Sequence, residues 1–178
     1  LTGKNPGQHG VFDFRRLDAD YGWQTHARQP HGHKTLWRLL SETGRRVIAV
    51  DVPFTYPPEA VNGLLITGYP TPRTPGTIFT HPPDLPRRLR QEGFELTLGW
   101  PKTRIDLHAD FFRAWERVMT RRERLLTHVF QHKEWDLFMV VFGITDTLSH
   151  TLWHFLAPHH PAYRDREADA YREALFQG

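Results

Sequence analysis

The chain has 178 residues, 39% of them hydrophobic and 13% aromatic, enough to bury one sizeable core; this excludes a disordered chain and predicts one globular domain or a large part of one. Lys and Arg number 23 against 20 Asp and Glu, a formal charge of +3, too small an excess to point to a nucleic-acid partner. Cysteine is absent, which removes disulfides and thiolate chemistry, and no signal-peptide pattern or apolar run near the ~20 residues of a membrane span occurs, so no membrane partner and a cytoplasmic location are expected.

The chain opens on Leu1 in a turn-rich phrase, LTGKNPGQHG, and closes inside a helical pattern, READAYREALFQG, edges expected of an excerpt from a longer chain. Leu36, Leu39 and Leu40, followed by Gly44, predict a short helix over Thr35 to Thr43. RVIAVDV, Arg46 to Val52, follows as a strand closed by Pro53. Residues 53–109 form a Pro-rich loop or lid region, with a short strand at Leu64 to Thr67 and a helix near Asp84 to Glu92. Asp110 is the expected N-cap of a long helix running to about Gln131, and its aromatic stripe at helical spacing is core. The arginines at 87, 88, 90, 121, 122 and 124 read as solvated helix faces. LFMVVF, Leu137 to Phe142, reads as a strand buried on both faces, so the fold expected is an α/β sandwich with a mainly parallel sheet.

GITDTLSHTLWHF, Gly143 to Phe155, carries the chemistry. Ligands of open α/β sheets collect beyond the carboxyl ends of the strands, and Asp146 comes just after such an end. With a helix starting at Thr147, Asp146 and His150 stand one turn apart, and a carboxylate and an imidazole so placed suit a divalent ion. The alternative is a capping Asp146 and a packed His150. His31 and His33 lie in a turn and His159 and His160 in a Pro-flanked loop, all read as surface or supporting residues, whereas His154, one turn after His150, is a candidate support for a ligand.

Three blocks, TGKNPGQHGVFDF (Thr2 to Phe14), VDVPFTYPPEAVNGLLITGYPTP (Val50 to Pro72) and DLFMVVFGITDTLSHTLWHF (Asp136 to Phe155), together resemble the alkaline phosphatase superfamily. The nearest branch is the type I phosphodiesterase and nucleotide pyrophosphatase group, with its predicted phosphohydrolases and phosphomutases. The resemblance implies hydrolysis of a small phosphate ester with two divalent ions, zinc or manganese, and a Thr or Ser nucleophile that passes through a covalent intermediate. It also implies Asp146 and His150 as ligands of one ion, with His9 and Gly10 as supports near the site. Asp51, at the exit of the strand over Arg46 to Val52, is a further candidate ligand, although the family more often has an uncharged residue there.

In the resembling family the nucleophile and the first ligand precede the TG turn and the other ligands come later than the D-x-x-x-H phrase. Residues 1–178 are therefore expected to be the central part of one catalytic domain, inactive alone, with the nucleophile upstream of Leu1. Lys4, Arg73 and Lys102 are loop cations that an anionic ester would meet, or solvated surface. Two other functions stay open on the sequence: a phosphomutase of the same fold, and a non-catalytic binding module. Oligomeric state leaves no readable trace.

Overall fold

The computed structural model describes residues 1–25, 32–96 and 109–163. The chain divides into two compact units, Leu1–Gly99 with Leu125–Val141, and Trp100–Arg124 with Phe142–Gly178. Among the described residues no helix is long and apolar enough to cross a membrane.

The first unit begins with one helical turn, α1 (Pro6–His9), in which Asn5 accepts the Gln8 N–H and Gly10 closes the turn at a left-handed φ of 70°. β1 (Arg15–Leu17) and β2 (Trp23–Thr25) pair antiparallel as a separate hairpin. α2 (Leu36–Glu42) starts where the Thr35 hydroxyl accepts the Arg38 N–H, and the tighter turn at Thr43 ends it. β3 (Val47–Val52), β4 (Gly63–Thr67), β5 (Thr80–His81) and α3 (Leu85–Gln91) follow. α4 (Ala109–His132) then contributes Leu125–His132 to this unit and leads into β6 (Leu137–Val140).

The sheet order is β5-β4-β3-β6, with β4 and β6 parallel to β3 and β5 antiparallel to β4. Alternation along β3 sends Ile48 and Val50 to one face, where Leu85 and Leu89 of α3 and Leu125, Leu126 and Val129 of α4 cover them. Val47, Ala49 and Val52 face the other way, against Trp37 of α2, Val61 and Leu65. Helices on both faces of a mainly parallel sheet are the α/β sandwich the sequence predicts. The indole N–H of Trp37 stays satisfied in this core by donating to Glu59 at 2.7 Å, which also fixes the loop after β3.

β3 does not keep strict alternation, because Val47, Ala49 and Val52 share a face. An extra residue resets the phase. The register between β3 and β4 shifts between Val50 and Val52, and Asp51 sits there at φ 57°, the bulged position. Gly68, the residue after β4, faces this bulge: a Cβ on it would stand 2.2 Å from the Asp51 carbonyl oxygen. Only a bare Cα fits.

β6 is shorter and more exposed than the sequence implies. It ends at Val140, its four residues are half-buried, and Phe142 is exposed. In the described sheet it pairs only with β3, so it is a strand at an edge. Asp136 ties its start to β3: the carboxylate accepts the Arg46 backbone N–H at 2.7 Å and the Arg45 guanidinium at 3.0 Å. Those two bonds, the backbone one first, hold the Asp136 carboxyl below the usual carboxylate range. Glu92, at the C-cap of α3, is likewise held low, by His128 at 2.7 Å and then by Lys133.

Within the Pro-rich stretch 53–109, β4, β5 and α3 belong to the first unit's layers, residues 68–79 form a loop, and residues 97–108 lie outside the described ones. In the second unit, α4 already includes Ala109, so Asp110 is inside the helix rather than its cap. α5 (Ile144–Leu156) starts three residues earlier than the sequence reading, with Gly143 at the N-cap. Ile144, Leu152 and Phe155 are its buried side.

Candidate functional site

The early start of α5 changes what Asp146 can do. Asp146 lies in the first helical turn, and the N-cap position is held by Gly143, which has no side chain to cap with. Asp146 is three residues past the N-cap, and no side-chain hydrogen bond caps this helix. Thr147 fixes the turn instead, its N–H and hydroxyl both donating to the Gly143 carbonyl, at 3.1 and 3.0 Å. A carboxylate at this end of a helix is favoured by the exposed backbone N–H groups.

One turn on, the His150 Nε2 stands 3.4 Å from the Asp146 Oδ1. Both side chains are largely open to solvent, 81% and 77% exposed, so neither is there to fill a core. That separation is too long for a strong hydrogen bond. It does fit two corners of one coordination shell, since donors on a tetrahedral ion with bonds near 2.0–2.1 Å lie roughly 3.3 Å apart. The donor set, one carboxylate oxygen and one imidazole nitrogen, suits zinc or manganese. Among the described residues no third His, Asp or Glu joins the pair within reach of one ion.

His154, half-buried a turn further along, packs its ring 3.8 Å from that of Phe155 and 6.0 Å from that of His160. Trp153 lies on the same helical stripe as Asp146 and His150, seven and three residues on, and is 57% exposed. The sequence reading passed over it, although the spacing was visible. Of the other histidines singled out, His33 contacts the Gln8 carbonyl at 3.1 Å, and His31 lies outside the described residues.

The first unit holds the remaining candidates. His9 ends α1 and its Nδ1 accepts the Val11 N–H at 3.2 Å, while Gly10 supplies the left-handed turn beside it. They shape the turn that joins α1 to the residues before β1. Asp51 occupies the bulge at the carboxyl end of β3, half-buried, with one carboxylate oxygen fully covered. Left-handed backbone at a non-glycine residue is uncommon, and Asp is among the residues that tolerate it best.

The chain matches the family model described as type I phosphodiesterase / nucleotide pyrophosphatase over residues 1–178. Comparison with curated proteins found no match. Comparison with solved structures found none either.

Proposed function

This chain belongs to the type I phosphodiesterase / nucleotide pyrophosphatase family, and from that premise we propose that it forms part of a metal-dependent hydrolase of phosphate esters in which Asp146 and His150 hold one divalent ion. The family is one of phosphodiesterase and pyrophosphatase hydrolases and is generally metal-dependent, and a small phosphate ester suits it as substrate. The observation that carries the reading is the solvent-facing pair on α5, with donor atoms 3.4 Å apart.

A bound divalent ion supplies a fixed positive charge that offsets the charge developing on a transferring phosphoryl group. The protein's part is placement. The helical backbone fixes Asp146 and His150 one turn apart, so little side-chain freedom is lost when both point at the same spot. His154 acts behind them, orienting His150 through the packing of that turn rather than as a ligand. Two donors are too few for a catalytic centre, which takes about three protein ligands per zinc, so residues outside the described ones complete the coordination. The same holds for the second ion and for the nucleophile. On this reading the described residues alone turn over no ester. His9 and Gly10, in the first unit, stay the supports that the family resemblance implies, and Asp51 stays a candidate ligand only.

The test is hydrolysis of a chromogenic phosphate diester and monoester by the full-length protein, stripped with a chelator and then given Zn²⁺ or Mn²⁺. Turnover that disappears with the chelator and returns with one of the ions is the expected result, and the faster ester identifies the reaction. Undiminished turnover after complete metal removal would sink the reading.

A further inference from the structure

The β1–β2 hairpin of the first unit carries apolar side chains that the described residues leave uncovered. Its two strands pair with no third one, and its base is tied to the unit by Phe14, whose ring stacks on that of Phe54 with centroids 4.7 Å apart. The register sets Leu17 directly opposite Trp23, so the two share one face of the hairpin. Leu17 is 51% and Trp23 66% exposed, and Tyr21, at the tip, is 84% exposed.

A two-stranded hairpin by itself is marginal in water. The turn of this one is nevertheless firmly held. One oxygen of the Asp18 carboxylate accepts the Asp20 and Gly22 N–H groups at 3.0 and 2.6 Å, and the other accepts the Gln24 side-chain amide at 3.0 Å. A Cβ on Gly22 would stand 2.7 Å from that carboxylate, so the turn closes only on a bare Cα. Tyr21 is fixed within it at φ 59°, a strained state for a bulky residue that persists because the bonds around it over-determine it. Apolar side chains held out on such a frame gain when a second surface takes them from water.

The charges indicate which surface. Arg15 lies two residues from Leu17 toward the base, on the same face by strand alternation, and Asp20 lies three residues from it toward the tip. Asp18 is committed to the turn, whereas the exposed Arg15 guanidinium and Asp20 carboxylate form no ion pair among the described residues. A strongly acidic or basic partner would call for one sign of charge, and the hairpin offers both. An apolar centre with a cation on one side and an anion on the other is complementary to itself after a half-turn. We propose that the hairpin docks on the same hairpin of a second copy, about a two-fold axis through the Leu17–Trp23 pair, with Arg15 of each copy against Asp20 of the other. The exposed parts of Leu17, Tyr21 and Trp23 supply roughly half of the ~800 Å² that each partner of a stable dimer buries, so the association is a weak one, in the micromolar range.

Sedimentation equilibrium of the full-length protein reads this association without any need for turnover. The unaltered protein should dimerise at micromolar concentration, and Trp23→Ser, at an exposed position, should weaken the dimer about thirtyfold or more, as loss of a central aromatic anchor does. Arg15→Glu and Asp20→Arg decide the geometry. Either variant alone sets like charges together at both contacts and should dimerise about tenfold more weakly, whereas an equimolar mixture of the two places opposite charges at both contacts and should recover the association. Mixing two chains cannot repair a defect confined to one chain. A protein that stays monomeric at every attainable concentration, as it would if another part of the full-length chain covered the hairpin, would overturn the proposal. A dimer indifferent to Trp23→Ser, or single variants whose mixture associates no better than either alone, would overturn it equally.

Discussion

Asp146 and His150 are the residues proposed to hold a metal ion, and their exposure makes a prediction separate from activity. Side chains that bury so little contribute little to folding, so Asp146→Asn and His150→Ala should shift stability by no more than about 0.5 kcal/mol, read as an unchanged urea midpoint. A large loss would assign them a structural role instead. Gly68 is the opposite case. A methyl group there meets the Asp51 carbonyl oxygen at 2.2 Å with bulged backbone on both sides, so Gly68→Ala should cost about 1–3 kcal/mol, the usual range for overpacking. The D-x-x-x-H spacing was readable because one helical turn is a fixed geometric relation. The bulge was not, since Asp51 reads as an ordinary strand residue until the register between β3 and β4 is known. Tertiary pairing decides it.

At the scale of elements, α2, β3, β4, α3 and the end of α4 fall within a residue or two of their predicted limits, because each carries its own period and its own stops: Thr35, Gly44, Pro53, Asp84. β1, β2 and β5 escaped, being two or three residues long and too short to show a period. The start of α5 was misplaced because Gly143 caps by conformation alone and leaves no side-chain signature. Packing on the α3 face depends on few residues. Leu89, 1% exposed between α3 and the sheet, should cost about 2–5 kcal/mol when cut to Ala, while Leu39, on the open side of α2, should cost under about 0.5 kcal/mol. Denaturant midpoints of the two variants check the contrast.

Acid sensitivity also belongs to the elements. Asp136 joins β6 to β3, and Glu92 joins the end of α3 to the end of α4. Both carboxyls are held below their ordinary values, 3.8 and 4.5, when folded. A carboxyl depressed by folding binds its proton more readily in the unfolded chain. The stabilisation is therefore complete above the ordinary value and drains away as pH falls through the lower, folded one. Both groups are solvent-facing, so screening keeps the effect modest. The urea midpoint should fall between about pH 6 and pH 3, and Asp136→Asn should flatten part of that fall. An identical pH dependence in the variant would contradict the role given to Asp136.

For the whole molecule, the order of sequence blocks was enough to reach the family, and the family model spans residues 1–178. Helix–strand alternation was enough for the sheet. The proposed centre was legible only as a pair, because two side chains one turn apart are a local pattern, whereas a full coordination shell needs donors that no local spacing reveals. Metal-restored hydrolysis of a chromogenic diester by the full-length protein, measured side by side for the unaltered sequence and for Asp146→Asn, tests the central claim most directly. Asp146→Asn should lose about a hundredfold or more of this turnover, the factor that ~3 kcal/mol of lost charge stabilisation gives. A variant that recovers full, ion-dependent turnover would contradict it and remove Asp146 from the metal centre.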